Sequence, residues 1–114
     1  MTQRATGIIS HWHAHIYYDP EDRAAAAALR EALEKSFTVR MGRWHDAPIG
    51  PHPQAMYQLA FDAPVFGGIV PWLALNRDGL TVLIHPDTGD ARADHTHHAI
   101  WLGEKLPLNL DALD

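Results

Sequence analysis

The 114-residue chain contains no cysteine. Disulfides and thiolate metal sites are therefore excluded, and any metal must be held by His, Asp or Glu. Serine is nearly absent too. Ser10 and Ser36 are the only two and neither sits in a G-x-S-x-G, so nucleophilic serine chemistry has no support. HExxH, HxxEH and glycine-rich phosphate loops are missing, which removes the common zinc-protease and nucleotide signatures. Lys and Arg number nine against fourteen Asp and Glu, for a formal net charge of −5 with histidines neutral, and they form no run. Nucleic acid is not an expected partner. No stretch approaches the roughly 20 apolar residues of a membrane helix, so no membrane partner is expected either. The opening MTQRATGIISHWH lacks the apolar segment of a secretory signal. Together with the missing cysteines, this leads us to expect a cytoplasmic protein.

What the chain has in excess is histidine. There are nine, in clusters: three in 11–15, then His45 and His52, then His85, then His95, His97 and His98. Apolar content of 46% and charged content of 20% are otherwise those of an ordinary globular protein, and the length predicts a single domain over 1–114. Its core should span about 8–86, with a C-terminal loop and tail over 87–114.

Residues 8–18 alternate like a strand, with His11, His13, His15 and Tyr17 on one face and Trp12, Ala14 and Ile16 on the other. Asp19-Pro20 then starts a helix over about 20–36, with Asp19 as cap and Ala25, Leu29, Ala32, Leu33 and Ser36 on one face. FTVRMGRW (37–44) reads as a second strand, HDAPIGPHP as a loop, and QAMYQLAFD (54–62) as a third strand. Residues 63–79 predict a helix that is kinked, or one that starts near Val70 with Pro71 in its first turn. LTVLIHP (80–86) is a fourth strand. Residues 87–98 read as loop, and AIWLGEKLPLNL as a short final strand or a surface tail.

The order β-α-β-β-α-β is that of the ferredoxin-like α+β fold: a four-stranded antiparallel sheet, order 4-1-3-2, with both helices on one face. That topology sets the end of strand 4, with His85, beside the start of strand 1, with His13. Trp12, Ala14, Ile16, Val82 and Ile84 suit the helix side. The opposite face would carry the histidines, Tyr17, Leu83 and Tyr57. A face this apolar calls for a cover, either the C-terminal segment or a second subunit, and a homodimer is expected.

Alternating histidines on one strand can place two imidazoles on one metal such as Zn, Cu, Fe or Ni, although a polar face of hydrogen-bonded histidines would leave the same pattern. His52 sits between prolines on a stiff loop. HPDTGDARADHTHH (85–98) holds four His and three Asp and could supply a further ligand and an acid or base. His85 and His95 are its better candidates; Asp87, Asp90, His97 and His98 suit a solvated acidic loop. Trp12, Trp72 and Trp101 are assigned to packing. Arg40 or Arg43 could pair with a substrate carboxylate, but a surface ion pair explains either as well.

The segments HWHAHIYY, PIGPHP, HPDTGD, DHT and AIWLG, taken in order, resemble the DOPA 4,5-dioxygenase family of small proteins. The resemblance runs from about residue 10 to 107. It begins at Trp12, His13, His15 and Tyr17, leaving His11 outside, and includes His52, His85, Pro86, Gly89, Asp90, Asp94 and His95. It implies extradiol ring opening of a catechol (DOPA-like) substrate with O2 at a non-haem Fe(II), for which Zn or Ni could substitute in a crystal. On that basis His13, His52 and His85 are expected as metal ligands, His15 and His95 as acid and base, and Tyr17 as a positioning donor. Asp94 is the candidate if a carboxylate completes the ligand set. Two rival readings stay open: a non-catalytic dimeric protein that binds metal or a small aromatic ligand on the same fold, and a cofactor-free oxygenase.

Overall fold

Period-two alternation builds the strands and alanine-rich sequence builds the first helix. The computed structural model describes residues 3–113. β1 is His11–Tyr18, α1 Arg23–Ser36, β2 Arg40–His45, β3 Ala55–Asp62, α2 Phe66–Asn76, β4 Thr81–Pro86, α3 Ala91–Asp94 and β5 Ile100–Leu102. A 3-10 turn at Pro20–Asp22 leads into α1, and another at Ala63–Val65 leads into α2. No helix among the described residues is long and apolar enough to cross a membrane.

The architecture is α+β. The sheet order is β2-β3-β1-β4-β5 and every neighbouring pair is antiparallel. This corrects the expected four strands to five. Ile100–Leu102 pairs with Val82–Ile84 along the edge of β4 that the four-stranded arrangement leaves open. Three residues are too few to announce a strand by alternation, but an unpaired apolar edge is a ready partner for them.

Ala14, Ile16 and Tyr18 of β1 pack in one cluster with Ala26, Leu29 and Leu33 of α1, Ile69 and Leu73 of α2, and Val82 and Ile84 of β4. Ala26, not Ala25, is the buried alanine of α1, and Ser36 is exposed. Fully burying Ile16, Leu33, Ile69, Leu73, Val82 and Ile84 contributes roughly 1.5–3 kcal/mol each. α2 begins at Phe66, well before Val70, and continues through Pro71, whose ring lies exposed. Tyr57 faces the helices rather than the histidines. It opposes Ile16 in register, and its hydroxyl donates to Ala26 O at 2.8 Å. Asp19 makes no side-chain cap; its backbone carbonyl accepts from Asp22 N instead.

On the other face Tyr17, Met56 and Leu83 pack against Leu106, with Trp101 and Leu108 beside them. The chain's own tail thus covers this part of the sheet, one of the two covers expected. Gly103, at φ 85°, turns the chain out of β5 into that tail. A Cβ there would stand 2.7 Å from Arg77 Nη1. The tail is tied to the histidine loop by Asn109 N donating to Pro51 O at 2.8 Å.

Candidate metal centre

β1 projects His13, His15 and Tyr17 away from the helices. β4 places His85 directly opposite His13 in register. Between Ile49 and His52 the loop closes a tight turn, with His52 N donating to Ile49 O at 3.0 Å and Gly50 at φ 56°. This turn brings His52 over the sheet. His95 caps the end of α3. All five histidines proposed from sequence therefore meet on one face: His15 packs rings with His13, His52, His85 and His95 at centroid distances of 6.4, 4.2, 5.1 and 6.2 Å.

Two sets of three nitrogens converge to within 4.8 Å of one another: His13, His15 and His85, and separately His15, His52 and His95. His15 belongs to both. Its Nε2 lies 3.0 Å from His85 Nε2. His85 Nδ1–H donates to Pro86 O at 2.8 Å and His95 Nδ1–H donates to Ala91 O at 2.7 Å. These carbonyls set both rings in the tautomer whose Nε2 carries a free lone pair. His52 is set the opposite way. Tyr17 Oη lies 2.6 Å from His52 Nδ1, and burial raises the tyrosine pKa, so the hydroxyl keeps its proton and donates it. The remaining proton of neutral His52 is then on Nε2.

Burial also acts on the imidazoles. It pushes His52 down to about 4 and His85 down to about 4, holds His15 well below its ordinary value and lowers His13, with neighbouring histidines adding to each shift. These rings are neutral at physiological pH, the form that binds a metal.

Asp94 joins neither set of three. Its carboxylate accepts from Thr88 N at 2.8 Å, Thr88 Oγ1 at 2.6 Å and His98 Nδ1 at 2.9 Å. Burial works to raise its pKa, but the bonds from His98 and Thr88 outweigh that and hold it below the usual carboxylate value. Thr88 is the partner sequence reasoning missed; an S/T-type residue six positions before a buried Asp leaves no distinctive signal. His11 pairs instead with Asp87 at 3.3 Å, His97 is exposed, and Arg40 pairs with Asp62 at 3.2 Å.

A cation fits these residues. Two Nε2 atoms 3.0 Å apart are close enough to share one ion, since metal–imidazole bonds run to about 2.0–2.1 Å. Without a cation, one proton must serve both nitrogens, and the fully buried Nδ1 of His15 has no hydrogen-bond partner. A cleft of about 200 Å³ opens beside the centre, lined by His13, His85, Asp87, Gly89, Asp94 and His95.

The family model of the Dopa 4,5-dioxygenase family matches residues 12–112. The chain is 39% identical over 117 residues to an uncharacterized 21.2 kDa protein of Botryotinia fuckeliana, an alignment covering 92% of this chain and 64% of that one. It is 34% identical over 111 residues to a DOPA 4,5-dioxygenase of Amanita muscaria, covering 90% of this chain and 49% of that protein. The chain thus spans about half to two thirds of the length of these curated relatives. A crystal structure of a candidate dioxygenase from Nostoc punctiforme matches with a TM-score of 0.96 at 50% identity, covering 97% of this chain and 96% of that one.

Proposed function

The chain belongs to the Dopa 4,5-dioxygenase family, and from that premise we propose that it opens the ring of a catechol with O2, by extradiol cleavage, at a non-haem Fe(II). The observation that carries the reading is the buried pair of Nε2 atoms on His15 and His85, 3.0 Å apart and joined by His13 from the neighbouring strand position. These three residues would hold the ion. Iron held there would supply Lewis acidity that favours the catecholate and a path for electrons from the catechol to O2.

The remaining residues supply proton handling. Extradiol cleavage needs a base for a catechol hydroxyl and a donor for the oxygen that becomes negative. His95 suits the base: its Nδ1–H is committed to Ala91 O, so its Nε2 is free to accept. His52 suits the hydrogen-bond donor: Tyr17 donates to its Nδ1 and leaves Nε2–H free to donate to that oxygen, the ring staying neutral. Relative to the roles expected from sequence, His15 moves to the metal and His52 to hydrogen-bond donation, while His13, His85, His95 and Tyr17 keep theirs. Asp94 holds the loop that carries His95.

Metal analysis combined with an oxygen electrode tests the proposal. Protein loaded with Fe(II) under air should consume O2 and convert a catechol to a yellow ring-opened product, and His13→Ala should abolish both. A metal-loaded protein silent on a broad panel of catechols would leave the non-catalytic binding reading. Turnover indifferent to chelators would leave the cofactor-free one.

A further inference from the structure

A second cleft of about 200 Å³ lies between the end of α3 and the tail that follows β5. His95 lines it, and also lines the cleft beside His13 and His85, so the two meet at one imidazole. The second cleft is built for a ring. Trp101 lines it and stacks on Tyr17 with centroids 6.0 Å apart and planes 22° apart, and Leu106 and Leu108 add apolar wall. The tail is anchored where it passes: Asn109 N donates to Pro51 O, and Arg92 Nη2 donates to Leu110 O at 3.5 Å. The volume is below the roughly 300–1,000 Å³ of sites for drug-sized ligands and suits one ring with a short substituent.

The charge of this cleft is one-sided. Lys105 is its only Lys or Arg, it is exposed, and it has no ion-pair partner among the described residues. No acidic side chain is among the residues that line the cleft. We propose that this cleft seats the aromatic substrate and that Lys105 selects single-ring catechols carrying an anionic substituent, with no carboxylate in the lining to pair with a substrate ammonium. The preferred substrate is then a dihydroxyphenyl alkanoate rather than the corresponding amino acid or amine. This rests on the catechol reading above and narrows it. Trp101 and the leucines would take the ring, Lys105 the carboxylate, and His95 the hydroxyl end.

The test is anaerobic titration of the metal-loaded protein, followed by tryptophan fluorescence and calorimetry, with four probes: 3-(3,4-dihydroxyphenyl)propionate, DOPA, dopamine and 4-methylcatechol. Expected is tightest binding of the propionate, weaker binding of DOPA and weakest binding of dopamine. Lys105→Glu should weaken the propionate about tenfold, leave 4-methylcatechol within about twofold, and favour dopamine. Lys105→Met should show the same loss for the propionate without the gain for dopamine. Affinities independent of substituent charge, or a Lys105→Glu effect equal on all four probes, would overturn the assignment. Charge-ordered binding without O2 uptake would support Lys105 as selector while removing the ring-opening reading, so the two failures are distinct.

Discussion

His15 Nε2 and His85 Nε2 face each other at 3.0 Å across β1 and β4, on residues 70 positions apart in the chain. Neutral imidazoles in this geometry satisfy one another only through a shared proton, whereas a cation satisfies both lone pairs. His15→Ala and His85→Ala are therefore expected to lower metal affinity more than about a hundredfold, beyond the loss typical of residues that merely support a ligand. Metal content after dialysis, with calorimetric titration, reads this directly. Should His52→Ala and His95→Ala strip the metal while His13→Ala retains it, the ion belongs with the other converging set, His15, His52 and His95.

Tyr17→Phe separates hydrogen-bond donation by His52 from metal binding. The substitution removes the donor to His52 Nδ1 at 2.6 Å and frees the ring to adopt the other tautomer. Metal content should stay at the wild-type level, while kcat falls by about tenfold or more. His52→Ala should cost about 10²–10⁴-fold, the range of a lost acid–base group. Stability should fall by roughly 1–3 kcal/mol in Tyr17→Phe, because a buried acceptor loses its partner. Loss of metal in Tyr17→Phe would place His52 among the ligands, as the family resemblance first implied.

Much of this arrangement is legible in the sequence, for a definite reason. Alternation in HWHAHIYY puts His13, His15 and Tyr17 on one face whatever the details, and the β-α-β-β-α-β order forces β4 beside β1, which brings His85 to His13. Period-two patterning also groups Tyr57 with Leu59 and Phe61, yet it does not say which face the group takes; pairing with Ile16 decides for the helix side. β5 is too short for its pattern to stand out. The division of histidines into ligands and donors is the least legible part. It depends on what each Nδ1 meets, namely Pro86 O, Ala91 O or the Tyr17 hydroxyl, and such contacts exist only after the loops have closed.

Asp94→Asn tests whether a carboxylate belongs to the metal. With its oxygens engaged by Thr88 and His98, Asp94 is a brace for the 87–98 loop. The amide keeps the shape but weakens charge-assisted bonds, so a loss of about 1–3 kcal/mol in stability is expected with metal stoichiometry unchanged. Thermal melts and metal analysis on the same preparation decide the matter. Metal lost at unchanged stability would make Asp94 a ligand. Thr88→Ala should reproduce the stability loss, since it removes the hydroxyl donor to the same carboxylate.

Acid should destabilise the metal-free protein through its buried histidines. In the unfolded chain these rings take up protons near pH 6.5, whereas in the fold His52 and His85 resist until about 4 and His15 lies well below its ordinary value. Between those limits the unfolded state binds more protons than the native state, so stability rises with pH there and falls as pH drops. Each fully shifted ring contributes a slope of up to about 1.4 kcal/mol per pH unit, against a total stability of roughly 5–15 kcal/mol for a domain. Melting temperature should accordingly be flat above about pH 7 and fall steeply from 6.5 toward 4. His85→Gln, neutral at every pH, should remove one ring's share of that slope. A melting temperature that stays level between pH 6.5 and 4 would mean the rings carry their protons inside the fold, and the lone pairs proposed for the metal would not be available. Saturating metal should raise the melting temperature at neutral pH, leave the onset near 6.5, where the unfolded rings take up protons, and carry the decline below about pH 4, because the bound nitrogens take no proton in the fold until the ion is displaced.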